Sequence, residues 1–109
     1  MLSDINETDW KVLRRIHSLA LERFCERVLG EVELIMRNGA LTHHERYLEI
    51  FELMQRRDQD IAHLFDDPRR SRALPMLAHM RSRGVLTDEE FSSLSDQTRS
   101  AVQLLLGAG

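Results

Sequence analysis

Residues 7–37 read ETDWKVLRRIHSLALERFCERVLGEVELIMR. From Asn6 to Asn38 there is no proline and one glycine, Gly30. Apolar residues recur at steps of three and four throughout, the signature of an amphipathic helix. The run predicts one long helix, and everything after it reads as shorter helices that lean on it. The expected fold is therefore all-α: a bundle of four helices, or five if a proline splits the third, built on a long N-terminal helix.

Thirty-one residues at about 1.5 Å each make a rod of roughly 46 Å, while a compact chain of this length has a radius of gyration near ~13 Å. A straight rod would overhang a monomer. Val12, Leu13, Ile16 and Ala20 share one face of it. Leu21, Cys25, Val28, Leu29, Val32, Ile35 and Met36 centre on another, well over 90° away. Two apolar faces call for two partners. Either the helix bends near Gly30, or shorter helices of the chain pack on its different sides, or a second copy of the chain covers one face. Two-fold dimers are the commonest oligomers, so a homodimer is expected, with Leu21, Cys25, Val28, Leu29, Val32 and Met36 as the candidate dimer face.

The chain has 109 residues, 42% hydrophobic, enough for a single helical domain spanning 1–109. A net charge of −3 argues against a general nucleic-acid binder. The N-terminus has no basic segment followed by a long apolar run, and no later run approaches membrane-spanning length. Cys25, the single cysteine, has no internal disulfide partner. A cytoplasmic protein with no membrane contact is expected.

Asn6 is placed to cap the first helix, with Glu7 and Asp9 in its first turn. Trp10 reads as an edge-of-core aromatic, and Cys25 as a small buried hydrophobe. The helix is expected to end at Asn38-Gly39, with Gly39 left-handed. Thr42-His43-His44-Glu45 opens the next helix as a capping box. Gly84-Val85-Leu86-Thr87-Asp88-Glu89-Glu90 echoes Gly39 to Glu45, which predicts two similar turns and no duplicated domain.

The second helix, about His43 to Phe65, carries Tyr47, Phe51, Met54, position 58, Ile61 and Phe65 on one stripe. A parallel row runs Ile50, Met54, position 57, Ile61, Leu64. Arg57 and Asp58 occupy the two interrupting slots. Within an apolar stripe they must be solvated, paired or functional: as a buried polar candidate Asp58 either accepts from an arginine on another helix, with Arg99 the candidate, or lines a polar pocket.

Asp67 is placed to cap, and Pro68 to begin, the next segment. Pro75 then kinks that helix or delays its start. From Pro68 to Thr87 there are five arginines, Arg69, Arg70, Arg72, Arg81 and Arg83, and no acid; the flanks carry −5 and −3. Guanidinium forks suit carboxylates and phosphates, so this segment is the candidate partner-binding surface, unless the chain folds it against its own acids. The last helix should start at the Thr87–Glu90 capping box, with Leu86 and Phe91 as a staple and Phe91, Leu94, Thr98, Ala101 and Leu105 inward.

No catalytic signature is present: no glycine-rich phosphate loop, nucleophile elbow or cysteine–histidine motif. The histidines lack the spacing of a metal site, so neither metal nor cofactor is expected. Asp67-Pro68-Arg69-Arg70 resembles the turn before the second helix of helical chorismate mutases. The basic cage of those enzymes includes a lysine, however, and the only lysine here is Lys11, so no residue role is carried over. The expected function is a non-enzymatic helical module, homodimeric, serving protein interaction or regulation. The alternative is a nucleic-acid-associated regulator using Arg69 to Arg83, against which stand Asp88, Glu89, Glu90 and Asp96 on the helix that follows.

Overall fold

The computed structural model describes residues 5–107. The fold is all-α. In order come α1 (Glu7–Met36), α2 (His43–Phe65), a 3₁₀ turn (Arg70–Arg72), α3 (Ala73–Ser82), α4 (Asp88–Ser92) and α5 (Asp96–Gly107). Asn6 Oδ1 accepts the Asp9 N–H and opens α1, and the Thr42/Glu45 and Thr87/Glu90 capping boxes are both closed. α1 runs unbroken through Gly30.

The body of the molecule lies at one end of the α1–α2 hairpin. Leu13, Ile16, Ala20, Phe24 and Val28 of α1, Leu64 and Phe65 of α2, and most of α3 join Val85, Leu86, Phe91, Leu94, Ala101 and Val102 in one core. Beyond Val28, α1 has no buried residue, and α2 before Leu64 buries only Leu53. The outer part of the hairpin thus projects past the core. The molecule measures 54 × 25 × 23 Å with a radius of gyration of 16.8 Å, larger than the roughly 13 Å of a compact chain of this size.

Several local expectations change. Gly39 is not left-handed; among the described residues Gly84 is the only glycine at positive φ, +69°. The Arg46 guanidinium instead caps α1, donating to the Met36 and Asn38 carbonyls at 3.3 Å each. At Gly84 the α3 end closes as a Schellman motif: the Val85 N–H reaches the Met80 carbonyl and the Gly84 N–H reaches that of Arg81. Asp67 cannot cap, because it is itself left-handed (φ 55°), and Pro68 falls outside any helix. Of the two expectations at Pro75 the late start is the one seen: α3 begins at Ala73, after the 3₁₀ turn, and Pro75 sits in its first turn, where its missing N–H has no intrahelical acceptor to lose.

The extra helix comes from the C-terminal segment, which breaks at Ser93-Leu94-Ser95. Ser93 Oγ donates to the Glu90 carbonyl, Arg99 donates to the carbonyls of Ser92 and Leu94, and Ser95 Oγ accepts the Thr98 N–H as a new cap. Serine side chains compete with the helical ladder in this way.

Candidate interaction surface

Each arginine of the basic segment has a partner within the chain, while Arg69 and Arg72 stay exposed. Arg69 and Arg72 bond the Asp67 carboxylate, and Arg70 Nε donates to the Ile5 carbonyl at 2.8 Å. Arg81 pairs with Asp88 at 2.8 Å and lies 4.6 Å over the Phe91 ring. Arg83 pairs with Asp60 at 3.2 Å. Arg69, Arg72, Arg81 and Arg83 pair with Asp67, Asp88 and Asp60, acids that flank the segment in sequence, and Arg70 with a backbone carbonyl.

Arg57 is half-buried and bridges α1 to α2, donating to both carboxylate oxygens of Glu31 (3.0 and 2.9 Å) and to Asp60 (3.0 Å). Hydrogen bonds from Arg57 hold the Glu31 carboxyl below its usual range. Asp60 is lowered first by Arg83 and then by Arg57. The expectation of a buried Asp58 is corrected: Asp58 is exposed, since the outer half of its stripe has no core to enter. Arg99 does not reach it either; its guanidinium bonds Asp96 and the carbonyls of Ser92 and Leu94.

The buried carboxylate is Asp9, 2% exposed. Its Oδ1 accepts the Ser95 N–H (3.0 Å), and its Oδ2 accepts from Ser95 Oγ (2.6 Å), Thr98 Oγ1 (2.5 Å) and Asn6 Nδ2 (3.1 Å). These groups tie the start of α1 to the start of α5. Burial pushes the Asp9 carboxyl up, but the hydrogen bonds from Ser95, Thr98 and Asn6 outweigh it and the pKa lies below the usual value. The sequence signal for this cluster was Ser95-x-x-Thr98, a helix cap inside what reads as a continuous helix. Glu90 behaves similarly: burial raises it, and the two-pronged bond from Arg23 at 3.1 Å, with the capping bonds of Thr87, brings it below normal. Among the described residues no buried side-chain nitrogen or oxygen lacks a partner.

One side of the projecting hairpin carries two rows with exposed apolar members; Leu34 elsewhere on α1 and Leu104 on α5 are exposed as well. Cys25, Leu29, Val32 and Met36 step along α1 at intervals of four, three and four, and Tyr47, Phe51, Met54 and Asp58 step along α2 in the same way. Leu29 is 62% exposed, Met36 61%, Tyr47 65% and Phe51 52%. Both rows lie on the same side. A groove of about 280 Å³ is lined by Cys25, Val28 and Leu29 of α1 with Met54, Arg57, Asp58 and Ile61 of α2. Nearer the tip, Met36 shares a second groove with His43, Arg46, Tyr47 and Ile50. Of the candidate dimer face, Val28 is buried and Leu21 packs partly against the core, so neither is available to a partner. Cys25, Leu29, Val32 and Met36 remain on the open side.

Among the described residues no helix is long and apolar enough to cross a membrane, and no three metal-ligating side chains converge. The chain matches no family model, no curated protein and no solved structure.

Proposed function

We propose that this chain is a non-enzymatic helical interaction module that pairs with a second copy of itself through the open side of the α1–α2 hairpin. The observation that carries this is the pair of apolar rows. Each has the four–three–four spacing of a coiled-coil seam, and together they make one half of a four-helix bundle core. A second copy supplies the other half. The exposed side chains of Leu29, Met36, Tyr47, Phe51 and Met54 contribute several hundred Å² of apolar surface, more than isolated surface hydrophobes leave on a monomer. The buried stripe of α1, Leu13 to Phe24, points roughly 140° away from this side at 100° per residue, while on α2 the row runs on through Ile61 to Phe65, where it enters the core.

Light scattering across a concentration series tests the reading. The wild type should weigh twice 12.7 kDa, and Leu29→Glu with Phe51→Glu should weigh 12.7 kDa while keeping its helical circular dichroism. A wild type monomeric at every concentration, or a double variant that still dimerises, would sink it.

A further inference from the structure

The open side of the hairpin is electrically lopsided along its length. At the base, where the hairpin meets the body, the exposed charges beside the seam are Glu22, Glu26 and Asp58, with Glu22 and Glu26 lining a groove together with Cys25 and Leu29. Arg57 at this level is neutralised by Glu31 and Asp60. At the tip are Arg37, next to the end of α1, and Arg46, which lines the tip groove with His43. Glu33, which lines the α1 groove with Glu22 and Glu26, pairs with Arg37 and offsets it within the chain, so Arg46 carries the uncompensated positive charge of the tip. Tip and base thus carry opposite signs.

The two seams also have equal length. Cys25 to Met36 and Tyr47 to Asp58 each step through eleven residues, about 16 Å of helix. A two-fold axis midway along the hairpin, crossing it at right angles, carries the base of one copy onto the tip of the other. It lays α1 antiparallel on α1 and α2 antiparallel on α2. Cys25 then stands level with Met36 across the seam, and Asp58 with Tyr47. Arg37 of one copy falls between the levels of Glu22 and Glu26 of the other, and Asp58 comes within a turn of Arg46 and His43. The other face-to-face arrangement, tips together, sets basic tip on basic tip and acidic base on acidic base.

We infer that the hairpins pair tip to base, in an antiparallel two-fold bundle whose orientation is selected by this charge asymmetry. The inference rests on the self-association reading and adds the partner's orientation and the residues that select it. Opposite charges at a seam's flanks decide which alignment forms more than how tightly it holds.

A charge swap and a disulfide test it, with the wild-type mass measured alongside. Arg37→Glu should weaken the dimer by roughly tenfold, and adding Glu26→Arg should restore it to within about threefold, as expected for coupled neighbours. Both positions are exposed, and each variant's thermal midpoint at monomeric dilution reports folding separately. In a Cys25→Ser background, Val32→Cys lies close to the axis and should oxidise to a covalent dimer by itself. With tips together it lies diagonally across the bundle from its copy; it would stay unlinked alone and link when mixed with a Phe51→Cys chain. That result, or a double swap no stronger than the single, overturns the orientation while a dimeric wild type keeps the self-association reading. A monomeric wild type overturns both.

Discussion

The two ends of α1 have similar side chains and opposite fates. Leu13 is fully buried and Leu29 is 62% exposed, yet each sits on an apolar row with a period near 3.6. The difference lies downstream: α3, α4 and α5 gather along α1 as far as Val28 and at the end of α2, and beyond Val28 α1 buries no residue. Periodicity says that a helix has a sticky face; it does not say who supplies the other surface. In the body that partner is the chain itself, and in the overhang we assign it to a second copy.

Leucine-to-alanine substitution breaks or sharpens this contrast. Leu13→Ala should cost on the order of 3–4 kcal/mol at every protein concentration, as for a fully enclosed leucine, measured by urea unfolding. Leu29→Ala should stay within roughly 0.5 kcal/mol where the chain is monomeric and lose stability only where dimers form. Equal, concentration-independent losses at the two sites would erase the distinction.

Polar contacts follow the same divide. Asp9→Ala should cost on the order of 3 kcal/mol, because it strands the Thr98 hydroxyl and the Ser95 N–H in the interior. Asp9, Glu31, Asp60 and Glu90 all have lowered pKa values. Depressed carboxylates stabilise the fold above their unfolded values, about 3.9 for Asp and 4.3 for Glu. That contribution disappears as the pH falls through those values toward the native ones. An acid titration followed by circular dichroism should show stability declining below about pH 5, and a smaller decline in the Asp9→Ala variant. A wild-type stability flat from neutral pH to about pH 3 would refute the linkage.

Smaller effects come from the turns and the outer surface. Gly84→Ala should cost about 1–2 kcal/mol for its left-handed backbone, with room for the methyl since the nearest foreign atom, on Arg27, is 3.8 Å away. Asp58→Asn should change monomer stability by less than roughly 0.5 kcal/mol. A loss of several kcal/mol there would place Asp58 in a structural contact that its exposure does not suggest.

The helices and their starts were legible in the sequence because they depend on neighbours a few residues apart. Asn6, Thr42 and Thr87 all cap where their spacing places them. What was not legible depended on long-range company. Arg57 and Asp58 are adjacent, yet one is clasped by Glu31 and the other faces water; Asp60, three residues on, helps hold Arg57, but Glu31 lies on another helix, 26 positions away. The arginine segment read as a surface for others because its compensating Asp60 and Asp88 lie outside it. The C-terminal break was visible in principle, in three serines within four residues, but an apolar stripe running through Leu94 and Thr98 masked it.

The clasp on Asp9 joins residues 86 and 89 positions apart. Contacts this distant cannot form as local events, since a long loop must close first. The α1–α2 hairpin, joined by a short turn, has no such delay. The opening turn of α1, though first in the chain, is therefore finished by the last helix: until α5 docks, the Asp9 carboxylate lacks its partners there and favours water. In pulsed hydrogen exchange during refolding, protection should reach the middle of α1 before its beginning.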